Sequence, residues 1–137
     1  MADAPTDIFE TLEMPGWPRP RGYAHGIAAR GRTVFVAGMI GWDAEGRFPP
    51  DLAGQVRQAL QNIVDTLAEA GGRPEHLARL TWFVTSKPEY LAAQAQIGQA
   101  YRAVLGRHYP AMSVVEVSAL LEDQAKVEIE ATAVVPG

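Results

Sequence analysis

The chain has 137 residues, of which 47% are hydrophobic and 20% are charged, and its formal net charge is −4. This length predicts one domain with a proper core, and the acidic balance disfavours a nucleic-acid partner. The absence of cysteine excludes disulfides, thiolate metal sites and a cysteine nucleophile.

Residues 1–22 are rich in proline and glycine, which predicts an extended arm with one short strand near residues 8–12. The arm lacks the basic and apolar regions of a signal peptide. No apolar run in the chain approaches the ~20 residues that a membrane helix needs. We therefore expect a cytoplasmic protein with no membrane partner.

Residues 23–137 show no repeat and no linker, and they predict a single α+β domain with the element order β-β-α-β-α-β-β. The five strands are predicted, in chain order, at residues 23–29, 33–38, 77–85, 112–120 and 126–135. A glycine- and proline-containing loop, 38–50, precedes the first helix.

Two segments have the period of amphipathic helices. Asp51 is expected to cap the first, which ends at the glycine pair 71–72. The second begins with a capping box, Ser86 to Glu89, and stops at Gly106. We expect one mixed sheet with both helices on one face.

The last two strands suggest what each face of the sheet carries. Alternate residues 127–135 form an apolar face that suits the helices. The second face is expected to combine apolar residues and carboxylates, namely Met112, Val114, Val134, Glu116, Glu128 and Glu130. Since two helices cover only one side, this face predicts self-association. Carboxylates at its margin would be partly desolvated, which raises a carboxyl pKa and suits acid–base catalysis.

Three stretches, taken in order, resemble the Rid family, also called YjgF or L-PSP. They are Gly22-Tyr23, Val36–Gly38 with the following loop and Asp51, and Pro110–Val117 leading into Val127–Ala131. The resemblance runs from about residue 21 to the end. It implies a chorismate-mutase-like fold in a homotrimer, with the open sheet faces forming a central barrel and ligand pockets between subunits.

The resemblance also implies an activity, the hydrolysis of small reactive enamines or imines to a keto compound and ammonia, without metal or organic cofactor. By position, Glu128 is the glutamate that orients or activates water, and Tyr23 lines the pocket. Gly38 lies at a small-residue turn beside the site. The remaining substrate-binding positions are Met39, Met112 and Val114.

Met112 stands where the family has an arginine that binds the substrate carboxylate. Methionine cannot make that contact, so the usual α-imino acids are not the expected substrates. Arg21 and Arg107 are candidates for a replacement cation. Some relatives deaminate aminomuconate-type compounds, and that chemistry stays open.

Two other functions compete with a deaminase. One is a non-catalytic trimer of the same fold that binds a small molecule or a protein. The other is a ribonuclease, which the acidic charge and the lack of a basic groove with stacking aromatics disfavour.

Several aromatic and titratable side chains keep open roles. His25 alternates with Tyr23 and is a candidate for the pocket, whereas the scattered His76 and His108 lack the spacing of a metal site. Trp42 is either a lid or a packing residue. Trp82 and Tyr101 are expected in the core, and Glu116 and Glu130 are expected to be structural.

Overall fold

A computed structural model describes residues 8–137. Its strands are β1 (Phe9–Leu12), β2 (Gly26–Ala29), β3 (Arg32–Ile40), β4 (Leu77–Val84), β5 (Ala111–Glu116) and β6 (Val127–Val135). Its helices are α1 (Leu52–Ala68), α2 (Lys87–Ala92) and α3 (Gln94–Leu105), with a 3₁₀ turn at Pro74–His76.

The main sheet has four strands in the order β3-β6-β4-β5. Strands β4 and β5 are parallel, and the other two pairings are antiparallel. The predicted α+β class with one mixed sheet and helices on one face is therefore confirmed. The short strand expected in the arm is present as β1, which pairs with β2 in a separate two-stranded sheet. The rest of that expected arm includes residues 1–7, which lie outside the described residues.

Two predicted strand boundaries differ from the structure. The strand expected at 23–29 begins only at Gly26, because Ala24 instead bridges to Ala111 and donates its N–H to Pro110 O at 3.0 Å. The strand expected at 112–120 stops at Glu116, where its partner β4 also ends.

The second predicted helix is interrupted. Ala93 has φ −103° and ψ 13° and divides it into α2 and α3. Its start is as predicted, since the Ser86 side chain accepts the N–H of Glu89 at 3.1 Å. The reciprocal half of a capping box does not form, because the Glu89 carboxylate pairs with Lys126 Nζ at 3.0 Å. Asp51 occupies the N-cap position of α1 without a side-chain hydrogen bond.

The core lies between the sheet and the helices α1 and α3. Alternate residues of β6 face the helices as predicted, and all are nearly inaccessible: Val127, Ile129, Ala131, Ala133 and Val135. Each large aliphatic side chain buried there contributes about 1.5–3 kcal/mol.

One buried amide connects two loops beneath α1. Gln55 donates through Nε2 to Pro49 O (3.0 Å) and to Gln124 O (3.1 Å), and its Oε1 accepts the N–H of Lys126 at 2.8 Å. A Cβ at Gly41 would lie 2.6 Å from the backbone oxygen of Gln55, so β3 can leave the sheet this close to α1 only through a glycine. The hydrogen bond from the N–H of Lys126 to Gln55 fixes the start of β6.

The prediction for β5 was wrong. The parallel register pairs Met112 with Leu80 and Val114 with Trp82, and both partners are buried under the helices. Met112, Val114 and Glu116 therefore share the helix-covered face of the sheet. A shift of one residue exchanges the two faces of a strand. Because β5 carries apolar residues on both faces, its sequence does not determine which face points to the helices.

The face opposite the helices is open in the single chain. It carries the predicted Glu128, Glu130 and Val134 on β6, although Val134 is only 9% exposed. The neighbouring strands add Phe35, Thr81, Phe83, Ser113 and Val115. Phe35, which the sequence reasoning did not single out, is 79% exposed.

Candidate active site

Glu128 lies half-buried on the open face, directly against Gly38. A Cβ at Gly38 would overlap the Glu128 carboxylate and come within 2.8 Å of its Cδ. A bulge in β3 between Val36 and Met39 places this glycine beside β6. A side chain at this position would displace the Glu128 carboxylate, so glycine leaves that carboxylate its place where the resemblance put a small-residue turn.

The Glu128 carboxylate has no hydrogen-bond or ion-pair partner among residues 8–137. By contrast, Glu116 accepts the N–H of Lys87 at 2.6 Å, and Glu89 pairs with Lys126. Carboxylates that are held in this way serve the structure, whereas Glu128 keeps its oxygens available for water or a ligand.

Met112 and Val114 line a cavity of about 360 Å³ between β5, α2 and α3. Its other lining residues are Arg21, Gly22, Trp82, Tyr90, Gln94, Ile97, Gly98, Tyr101, Arg102 and Tyr109. Of the two arginines proposed as replacement cations, Arg21 lines this cavity and Arg107 does not. Arg107 lines a different cavity with His76 and His108.

The aromatic wall of this cavity is fixed by stacking. Tyr101 stacks on Trp82 at 6.5 Å and on Tyr109 at 5.3 Å between ring centroids. Its hydroxyl donates to His108 O at 2.6 Å. Burial raises the pKa of Tyr101 well above its ordinary value, so this phenol stays neutral and is structural. Trp82 and Tyr101 belong to the core, as expected.

Tyr23 lies in the segment beside the outer edge of β5, next to the bridge between Ala24 and Ala111. It is 41% exposed, and its ring meets that of His25 edge to face at 5.9 Å. Trp17 contacts the same imidazole at 5.4 Å, and His25 Nδ1 is buried without a partner among the described residues. Tyr23 and His25 thus form one aromatic cluster with Trp17.

Two other residues of interest lie away from the Met112 cavity. Met39 pairs with Ile129 on the helix-covered face and packs against the core. Trp42 packs against Phe48 of its own loop at 5.8 Å. Its carbonyl oxygen accepts a hydrogen bond from Asn62 Nδ2 at 2.9 Å, which favours a packing role over a lid.

A single chain does not bring the predicted site residues together. Glu128 and Gly38 lie on the open face, whereas Met112 and Val114 lie on the other face of the sheet. Strand β4 also separates β6 from β5, and two strand spacings amount to roughly 10 Å. Glu128 therefore cannot act on a ligand held in the Met112 cavity of its own chain without rearrangement.

The described part of the chain offers neither a metal centre nor a membrane anchor of the helical kind. Within residues 8–137, no group of three or more histidine, aspartate or glutamate side chains is placed to hold a metal ion. No helix in the same range is long and apolar enough to span a bilayer.

Fold and site together define a small α+β protein with a free carboxylate on an open sheet face and a cavity with aromatic and cationic walls at the sheet edge. The sequence pattern of the family described as Endoribonuclease L-PSP matches residues 18–135. The 2-iminobutanoate/2-iminopropanoate deaminase of Escherichia coli K12 is 33% identical over 116 residues, which cover 82% of this chain and 86% of that enzyme. The chain belongs to the Rid family, also called YjgF or L-PSP, as its motifs indicated.

Two solved structures illustrate this membership. YyfB, a Rid-family protein from Yersinia pestis, has a TM-score of 0.79 and 33% identity, covering 93% of this chain and 98% of its own. TdcF from E. coli, solved with bound serine, has a TM-score of 0.66 and 34% identity, covering 93% and 97%. The second structure shows that a relative binds a small amino acid.

Proposed function

We propose that this protein is a cofactor-free hydrolytic deaminase of a small reactive enamine or imine. Its site would be completed between subunits of a homotrimer. Relatives named as deaminases support the reaction class. The observation that carries the proposal is the unpartnered Glu128 carboxylate, which lies against Gly38 on the open face. It has the position and the free oxygens that a water-activating group requires.

The reaction needs one water and one group that moves protons. Glu128 accepts a proton from water as the water oxygen bonds to the imine carbon. The same proton then passes to the nitrogen, which gives an amino alcohol. Glu128 next takes the hydroxyl proton and delivers it to the amino nitrogen, so the carbon–nitrogen bond breaks, the carbonyl forms and ammonia leaves. An enamine enters this sequence after it tautomerises to the imine. A positioned general base of this kind contributes about 10²- to 10⁴-fold in rate.

The separation of Glu128 from Met112 within one chain supports a site shared between subunits. The open face exposes Phe35 (79%) and Val115 (45%), an apolar surface that association would remove from water. In such an assembly, the open face of one subunit meets the β5 edge of the next. Glu128 of one copy would then face the cavity and Tyr23 of its neighbour.

A non-catalytic trimeric binding module is the second candidate. The methionine at position 112 is the observation that favours it. A chain that has lost the carboxylate-binding side chain can keep the fold and the pocket without the reaction. The ribonuclease function, which the family description mentions, finds no support in a net charge of −4.

Ammonia release separates the two candidates. Imines generated in situ from a panel of amino acids by an amino-acid oxidase hydrolyse spontaneously, and a deaminase accelerates the release above that background. Acceleration for at least one member of the panel is expected. A rate equal to the background throughout, with the assembled protein at micromolar concentration, would favour the binding module.

A further inference from the structure

The cavity beside Met112 combines positive charge with aromatic walls, and no carboxylate lines it in the described part of the chain. Its volume, about 360 Å³, lies within the range of small-molecule sites. The partly exposed Tyr90 and Tyr109 provide flat apolar surface, and Met112 adds a polarizable thioether that packs well against an aromatic ring. These walls suit a ligand with an aromatic or large apolar side chain.

The two arginines at this cavity, Arg21 and Arg102, are both exposed, and neither guanidinium makes a hydrogen bond or ion pair within residues 8–137. Arg102 Nη1 lies only 3.2 Å from where a Cβ of Gly98 would be, so the guanidinium lies over the glycine of the preceding helical turn. Glycine weakens a helix relative to alanine. Here it makes room for a cation at the wall of the cavity.

Trp82 supplies a second, independent indication of a ligand. The residue is 3% exposed and lines the cavity, and its indole N–H has no acceptor within the described residues. A buried donor without a partner costs free energy, and a ligand oxygen would recover it only after the cavity wall shifts, because the indole nitrogen is inaccessible to water in the free chain. The neighbouring hydroxyl of Tyr101 is already engaged with His108.

We propose that this cavity binds a carboxylate with an aromatic side chain, and that Arg102 and Arg21 supply the cation that Met112 does not. The ring packs against Tyr90 and Tyr109, and a shift of the cavity wall would let an oxygen of the ligand accept the indole N–H of Trp82. The inference rests on the proposed function for the reaction, and it defines the substrate class as bulky, aromatic imino acids rather than the smallest ones.

Binding of 3-phenylpropanoate to the assembled protein tests this directly, with the neutral 3-phenylpropanamide and the small propanoate as comparison ligands. Isothermal titration should show the phenyl carboxylate binding about five- to tenfold more tightly than either comparison ligand. Arg102→Gln and Arg21→Gln should each remove most of the preference for the carboxylate over the amide. Arg107→Gln removes the same charge from the end of α3 but faces another cavity, and should leave all three affinities unchanged.

The indole provides a structural readout. The Trp82 N–H resonance, assigned by its loss in Trp82→Phe, should shift on titration with 3-phenylpropanoate. The Trp17 and Trp42 resonances serve as references. Equal affinity for the carboxylate and the amide, or full carboxylate preference in both Arg102→Gln and Arg21→Gln, would overturn the assignment.

The inference and the proposed function fail in different ways. Normal imine turnover by Arg102→Gln and Arg21→Gln would contradict the proposed substrate class and would be consistent with the proposed deaminase function. Arginine-dependent binding of 3-phenylpropanoate, without faster hydrolysis of any imine, would support the cavity assignment and contradict the proposed deaminase function.

Discussion

Replacing Gln55 by methionine should destabilise the protein by about 2–4 kcal/mol, because one side chain makes three hydrogen bonds there. Methionine has a similar volume, so the loss arises from the bonds and not from a cavity. Each net hydrogen bond contributes about 0.5–1.5 kcal/mol, and the abandoned N–H of Lys126 is left without its partner. The change affects the loop before α1 and the turn that leads into β6.

Denaturant unfolding, followed by far-ultraviolet circular dichroism at one fixed protein concentration, measures this loss. Gln61→Met is the matched control on the same helix, since Gln61 is exposed and bonds only the i+4 side chain of Asp65. The control should change stability by less than about 0.5 kcal/mol. Equal effects for the two variants would refute the role given to Gln55.

Three further outcomes follow from the structure. Phe35→Glu should dissociate the proposed trimer in sedimentation velocity, whereas Leu121→Glu, at a 95% exposed site, should not; a monomeric wild type would remove the basis for a shared site. Met112→Arg should raise turnover of 2-iminopropanoate by about 10- to 100-fold in the ammonia assay, and equal turnover by the wild type and this variant would show that the small substrate needs no cation at position 112. Burial lowers the pKa of His76, and its Nδ1 accepts the N–H of Arg73 at 2.9 Å. Its contribution is present above the unfolded pKa of about 6.5 and is lost as pH falls, so the stability gap to His76→Gln should shrink from pH 7 to pH 5.

The fold could be predicted where one periodicity dominates. Strand β6 has an uninterrupted apolar alternation, so its helix-facing side was predicted correctly, and Glu128 was correctly assigned to the other side. Strand β5 has no such asymmetry, since Val114 and Val115 are equally apolar. The face of β5 that points to the helices is set by its pairing with β4, and this pairing could not be predicted from the sequence.

The candidate site was only partly accessible to sequence reasoning. Motifs led to Glu128 and Gly38, and the structure shows that a side chain at Gly38 would displace that carboxylate. Of the two cavity arginines, Arg21 was a candidate from the sequence, and the contact of Ala24 with the edge of β5 brings it to the wall of the Met112 cavity, whereas Arg102 was missed. A glycine within a helix, Gly98, was the one local signal for Arg102.

The turnover of Glu128→Gln tests the central claim most directly. The amide keeps the shape of the side chain but cannot take a proton from water, so ammonia release should fall by about 10²- to 10⁴-fold while fold and assembly persist. Glu130→Gln, two residues along the same face of β6, removes the same charge and should keep the wild-type rate. Equal rates for Glu128→Gln and the wild type, on a substrate that the wild type turns over, would contradict the account.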